Sequence, residues 1–221
     1  MKHLIHFFYV VLLSCLVVTI IGCHKKLEDL GNKINSKQIE LSDTSNLRVI
    51  NVQQNGIDIE YCLLNENGQP ATAFNEGEQF NFHLAITNNY DQDTSLYIVS
   101  DFLENPCLFM VFKNTSDTIG KPVSWNGMYK TGDYYNKLKK GQKWYMDIPW
   151  RESRGTEIPF NFNNLIRVFQ HFFIGLNKPF LSKGTYFTEF KQEFCLGRYL
   201  PDPQYLICTD TLQLRINFEV K

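Results

Sequence analysis

Hydrophobic and polar residues alternate with a period of two in three segments of the chain. In residues 212–220, Leu212, Leu214, Ile216, Phe218 and Val220 alternate with polar side chains. Residues 57–64 and 80–87 repeat this period. Successive side chains of a strand point to opposite faces, so each segment predicts a strand with one buried face.

Turn-forming residues separate these segments. Asn, Gly, Asp and Pro cluster at 65–70, 75–77 and 88–93, where they favour tight or left-handed conformations. Further strands are expected over residues 47–52, 95–103, 108–113, 142–149, 185–194 and 205–208. Strands with turns roughly every 8 to 12 residues predict an all-β sandwich.

One segment departs from this period. In residues 163–175, apolar side chains recur every three or four positions, which predicts a short helix. Asn163 and Asn164 are candidate caps at its start, and Gly175 at its end. The expected architecture is a sandwich with one short helical insertion.

Three motifs carry a family resemblance. The sequence FNEGEQFNF at 74–82 precedes a strand ending in TNN at 87–89, and LKKGQ at 138–142 and LSKGTY at 181–186 follow in the same order. This order resembles the immunoglobulin-like intracellular proteinase inhibitor (BsuPI-like) family. The resemblance implies an immunoglobulin-like β-sandwich and, more distantly, inhibition of a proteinase, although no inhibitory-loop motif is present.

The start of the chain predicts an export signal. Lys2 precedes an apolar run that reaches Ile21, and no acidic residue occurs before Glu28. About 20 apolar residues can also span a bilayer. However, Ile20-Ile21-Gly22-Cys23 resembles the lipobox of bacterial lipoproteins, which implies cleavage after Gly22 and acylation of Cys23. Two or three acyl chains hold a protein on a membrane without a transmembrane helix.

The next segment is expected to be a tether. Residues 23–46 are polar and contain too few apolar side chains to form a core. The pair Glu28-Asp29 resembles the surface-export signals of Bacteroidetes lipoproteins, and a solvated charge run is the alternative interpretation. The predicted organisation is a signal peptide at 1–22, a lipidated tether at 23–46 and a sandwich domain at 47–221, in the cell envelope and anchored to the outer membrane.

Charge and composition narrow the classes of partner. Loss of Lys2 with the signal reduces the 22 Lys and Arg residues to 21, against 23 Asp and Glu, for a formal charge of −2. This balance argues against nucleic-acid binding. The 18 Phe and 11 Tyr residues favour β-structure.

Four cysteines remain in the predicted domain: Cys62, Cys107, Cys195 and Cys208. They allow three pairings. Pairing Cys195 with Cys208 closes a short loop and contributes about 3 kcal/mol on loop-entropy grounds, and Cys62 with Cys107 would follow. No closely spaced cysteine pair suits zinc, so neither a metal nor another cofactor is expected.

Catalytic signals are weak. His83 and His171 lack a carboxylate or nucleophile close in sequence, and no nucleophile elbow, metalloprotease helix or phosphate-binding loop occurs. Asp91 and Asp93 fit a solvated turn better than a calcium loop. The chain is therefore expected not to be an enzyme.

An aromatic segment is the candidate binding surface. Trp125, Tyr129, Tyr134 and Tyr135 lie in a Gly-containing stretch, where they form either an exposed patch or part of the core. The expected function is a lipid-anchored binding module for an unknown protein or glycan. The alternatives are an envelope proteinase inhibitor and, more distantly, a glycan-binding accessory or glycan hydrolase.

Overall fold

A computed structural model describes residues 47–90, 96–98, 100–114, 117–125, 137–151, 161–162, 173–175, 178–197 and 206–221. The chain divides into the units Met1–Leu41 and Ser42–Lys221, and the described residues all lie in the second. The predicted signal peptide, Cys23 and the tether are outside the described residues. No helix within the described ranges is long and apolar enough to cross a membrane.

Strands dominate the described part of the chain. In chain order they are β1 Val49–Gln54, β2 Ile57–Leu64, β3 Ala73–Phe74, β4 Asn81–Asn88, β5 Leu96–Ile98, β6 Val111–Asn114, β7 Asp117–Gly120, β8 Val123–Trp125, β9 Lys137–Leu138, β10 Lys143–Pro149, β11 Asn161–Phe162, β12 Phe173–Gly175, β13 Gly184–Gln192, β14 Cys195–Gly197, β15 Leu206–Cys208 and β16 Leu212–Val220.

Two five-stranded sheets form the sandwich. The first has the order β1-β2-β4-β10-β11 and the second β3-β16-β13-β6-β7. Their inner faces meet in an aromatic core: the ring centroids of Tyr61 and Phe190 are 5.1 Å apart, and those of Phe80 and Phe218 5.5 Å. The predicted all-β sandwich is confirmed.

The period of two correctly gives the buried faces. Strands β2 and β16 have the predicted bounds, and Ile57, Ile59, Tyr61 and Leu63 all point into the core. The Tyr61 hydroxyl lies 2.9 Å from Thr188 Oγ1 of the facing sheet. Burial raises the pKa of Tyr61 above its usual range, so the phenol stays protonated and keeps this hydrogen bond between the sheets.

Two predictions of local structure need correction. Residues 95–103 were expected to form one strand, but only Leu96–Ile98 does, and Ser100–Glu104 forms a 3-10 helix. The 3-10 turn brings the consecutive side chains of Phe102 and Leu103 into the core together. The predicted helix at 163–175 does not extend to Gly175, because Phe173–Gly175 pairs with β8. Residues 163–172 are outside the described residues.

A smaller sheet, with the order β15-β14-β5-β9, extends the core at one end of the sandwich. Phe194, next to β14, packs on Phe102, which contacts Trp144 of the first sheet. Strands β8 and β12 form a separate pair. The smaller sheet positions the strand that lines the groove described below.

Candidate functional site

The β1–β2 hairpin forms one wall of an open groove. Its two-residue loop is Asn55-Gly56, with φ of 53° and 77°, as in the type I′ turn that matches strand twist. A Cβ at Gly56 would lie 2.8 Å from Tyr90 Cα. Glycine therefore allows the hairpin tip to approach Tyr90 closely. This Asn-Gly pair is the sequence signal by which the wall could have been predicted.

Strand β15 forms the opposite wall, stabilised by a disulfide. Cys208 lies directly opposite Cys195 of β14, with a Cα–Cα distance of 4.1 Å, and the two are bonded. The predicted pairing of these cysteines is confirmed. Asn55 Nδ2 donates to the Cys208 carbonyl oxygen at 2.7 Å, and this bond joins the two walls.

A second contact between the two walls is formed by Gln54 and Asp210. Gln54 Nε2 donates to Asp210 Oδ2 at 2.6 Å, and the Asp210 backbone N–H donates to Gln54 Oε1 at 2.8 Å. This reciprocal pair links the end of β1 to the chain beyond β15. The spacing between the walls is thus set before any ligand arrives.

The end of β4 forms the floor. Asn88 is fully buried, and its side chain donates to the Leu138 carbonyl oxygen at 3.0 Å and accepts from the Tyr90 N–H at 3.1 Å. The next N–H, of Asn89, donates to the Gly56 carbonyl oxygen at 2.8 Å. These bonds fix the floor against the hairpin and explain why turn-forming residues occur at 88–90.

The groove has a volume of about 670 Å³ and is widely open to solvent. The lining residues that the structure describes share one property, the absence of charge: Asn55, Gly56, Asn89, Tyr90, Leu206, Ile207 and Cys208. Leu206 keeps 51 % of its surface exposed. The result is an open concave surface that combines two side-chain amides with an exposed apolar side chain.

A second cluster occupies the outer face of the first sheet. Cys62, His83 and Asp147 lie side by side in register on β2, β4 and β10. His83 Nδ1 is 2.5 Å from Asp147 Oδ1, and His83 Nε2 is 3.5 Å from Glu60 Oε1. Glu60 also accepts from Lys143 Nζ at 2.6 Å. The alternation at 80–87 puts His83 on the polar face of its strand, but it does not show which partners lie beside it.

This row contains the residue types of a thiol hydrolase without its geometry. Both ring nitrogens of His83 face carboxylates, and no hydrogen bond joins His83 to Cys62 among the described residues. Cys62 is 1 % exposed. Burial raises its pKa to about 12, and the nearby charges of Glu60 and Asp147 contribute to the rise. Cys62 is therefore a protonated, covered thiol.

An aromatic stack lies on the outer face of the second sheet. The rings of Phe112 and Phe187 stack at 4.9 Å, and Arg215 Cζ lies 4.0 Å from the Phe187 centroid. Strands β6 and β16, which carry Phe112 and Arg215, flank β13 on opposite sides. Both faces of Phe187 are thus covered, and this ring offers no open face to a ligand.

Other predicted site residues have mixed outcomes. The expected disulfide between Cys62 and Cys107 does not form, and both side chains are thiols. Cys62 points to the outer face, whereas Cys107 packs against the core. Trp125 ends β8, while Tyr129, Tyr134, Tyr135, His171, Asp91 and Asp93 lie outside the described residues, so the aromatic surface stays a prediction.

One group of potential metal ligands occurs in the described residues. Ligand atoms of Glu193, Cys195 and Cys208 lie within 4.8 Å of one another. The two sulfurs are joined in the disulfide, so neither is a thiolate able to bind a metal.

Comparison with known proteins gives no relative: no family, curated protein or solved structure matches the chain.

Proposed function

We propose that the protein is a lipid-anchored binding module of the bacterial cell envelope, without catalytic activity, that captures its ligand in the groove between the β1–β2 hairpin and β15. One observation carries this proposal: the groove is open, its described lining residues are uncharged, and hydrogen bonds and a disulfide hold it in shape. A site with fixed walls loses little entropy when a ligand binds.

The chemistry-bearing side chains support a binding role over an enzymatic one. His83, Glu60, Asp147 and Lys143 are engaged with one another on the face of the first sheet. Cys62 beside them is buried and protonated. A nucleophile must be accessible and activated by a base, and this cluster provides neither condition.

The proposed location in the cell envelope is inferred from the amino-terminal sequence. Residues 1–22 have the character of an export signal, and Cys23 follows a lipobox-like Ile20-Ile21-Gly22. Lipidation of Cys23 would hold the domain at a membrane through the tether. We expect Cys23→Ala to move the protein from the detergent phase to the aqueous phase in detergent partitioning. Retention of this variant in the detergent phase would refute the anchor.

The binding role is tested with a ligand panel of peptides, oligosaccharides and purified proteases. Binding to the full chain is measured by thermal shift and by NMR chemical shifts. We expect a hit to perturb the amides of the groove, and Leu206→Asp to weaken it at least tenfold. Phe180→Asp is the matched control, because Phe180 is 41 % exposed and does not line the groove.

The outcome of the panel also ranks the alternatives. A protease inhibited by the chain, with no effect of Leu206→Asp, would favour an envelope inhibitor that acts through another surface. Turnover of an oligosaccharide would contradict a non-enzymatic role. Binding that perturbs only the face around His83 would contradict the groove as the site.

A further inference from the structure

Strand β15 is the edge of its sheet, and its outer side faces the groove. In an antiparallel pair, residues alternate between bonding to the partner strand and facing away from it. Thr209 N–H donates to the Phe194 carbonyl oxygen at 2.9 Å, so the next bonded pair along the ladder is Ile207 with Leu196. Leu206 and Cys208 therefore direct their backbone groups away from β14.

The position of Asn55 agrees with this assignment. Its Nδ2 reaches the Cys208 carbonyl oxygen from the side opposite β14. Among the described residues, no hydrogen bond reaches the N–H or the carbonyl oxygen of Leu206 or the N–H of Cys208. Within the described part of the chain, two donors and one acceptor along β15 therefore face the groove without a partner.

We propose that the groove binds an uncharged, extended peptide segment that pairs with the outer side of β15 as an added strand. This inference rests on the proposed binding function and specifies its ligand class. Unpaired groups along a strand edge are a template for such pairing. At about 3.3 Å per residue, the three residues of β15 match three to four residues of a peptide.

Charge complementarity selects the composition of the segment. None of the described lining residues carries a charge, so a charged side chain beside them would lose hydration without gaining an ionic partner from these residues. Leu206 and Tyr90 offer apolar contact to alternate side chains of the segment. The Asn89 amide is already hydrogen-bonded to Asp58, which leaves the backbone of β15 as the main source of new hydrogen bonds.

Other ligand classes fit the groove less well. A phosphate or nucleotide needs cationic side chains or a cluster of N–H groups, and none of the lining residues that the structure describes is cationic. A glycan commonly needs an open ring face for stacking. Tyr90 is the only aromatic residue among the described lining residues and is half-buried against the core. Backbone pairing is the interaction that this surface offers most directly.

The test uses the full chain and a library of end-blocked hexapeptides built from Val, Ile, Thr, Ser, Gln and Asn. We expect library members to bind, to perturb the NMR signals of Asn55, Tyr90 and Leu206, and to slow hydrogen exchange of the Leu206 amide at least tenfold. A matched library with a Lys or Glu at the centre should bind at least tenfold more weakly.

Two controls separate backbone pairing from other contacts. N-methylation of alternate residues of a binding peptide removes the N–H groups on one edge, and methylation in the register that faces β15 should weaken binding at least tenfold. Methylation in the other register should have little effect. Leu206→Asp should weaken binding while Phe180→Asp should not.

The outcomes distinguish this inference from the proposed function. Equal affinity for both methylated registers, or no slowing of Leu206 exchange by any library member, would overturn strand addition. If an oligosaccharide binds the groove and the peptides do not, the binding function stands and the peptide inference fails. If neither the groove nor Leu206 responds to any class in the panel, both are wrong.

Discussion

The outer face of the first sheet and the groove beside β15 use polar groups in opposite ways. On the sheet face, Glu60, His83 and Asp147 form a continuous row of contacts, and Lys143 adds a further ion pair. In the groove, the polar atoms of Leu206 and Cys208 are backbone groups at the edge of the smaller sheet. The reactive residue types of the sheet face are engaged with one another, whereas the described lining of the groove is uncharged and open to solvent.

This difference shows that residue type alone does not locate a site. A histidine between two carboxylates and next to a thiol has the residue types of a catalytic site. Here, however, the histidine is bonded to the two carboxylates, and the neighbouring thiol is buried. Such a row stabilises the sheet by cross-strand pairing. Unsatisfied groups on a preformed surface are the better guide to where a ligand gains free energy.

The largest expected effect concerns the reactivity of Cys62. At pH 8 a thiol with a pKa of about 12 has roughly a thousandfold less thiolate than one with the ordinary value of 9.0. We expect alkylation of Cys62 in the folded chain to be at least that much slower than in urea. Peptide mapping by mass spectrometry measures the rate at Cys62 separately from Cys107. Rapid alkylation of Cys62 in the folded chain would contradict a buried, protonated thiol and would support a nucleophilic role for Cys62.

The disulfide beside the groove should give the next largest effect. The double variant Cys195→Ser, Cys208→Ser should lose about 3 kcal/mol of unfolding free energy, because the unfolded chain regains the loop entropy that the bond removes. Urea denaturation measures the loss. As a control, dithiothreitol should destabilise the native protein and leave the double variant unchanged. Equal midpoints for the two proteins would show that the disulfide does not stabilise this wall.

A smaller effect separates the two regions directly. His83→Ala should cost about 1–3 kcal/mol of unfolding free energy, because Asp147 and Glu60 lose a hydrogen-bonding partner on a partly buried surface. Leu206→Ala should change stability by less than about 0.5 kcal/mol, as expected for an exposed side chain. Denaturant midpoints for the two variants test this contrast. A reversal, with Leu206→Ala the more costly change, would make the groove structural.

Much of the fold could be predicted because burial follows sequence period. The alternation at 57–64 and 212–220 gives both the bounds and the buried face of β2 and β16. The prediction of one strand over 95–103 was wrong, and the apolar residues of this segment do not alternate. Phe102 and Leu103 are buried together in a 3-10 helix. A pattern along one segment cannot show that the chain turns within it.

The sites could not be predicted to the same extent, because they depend on which strands become neighbours. His83 meets Asp147 across 64 residues of chain, and Asn55 meets Cys208 across 153. Only local signals were available for the groove: the Asn55-Gly56 dipeptide and the turn residues near Asn88. They predict turns, and neither predicts that the two turns enclose a surface with β15.

The most direct test of binding in the groove is an NMR titration of the full chain with the uncharged hexapeptide library, following the backbone amides of both regions in one experiment. Binding in the groove predicts that Leu206, Cys208, Asn55 and Tyr90 shift and that Leu206 gains protection from exchange. The amides of Glu60, Cys62, His83 and Asp147 should stay unchanged. Shifts confined to the sheet face, with Leu206 unaffected, would contradict it.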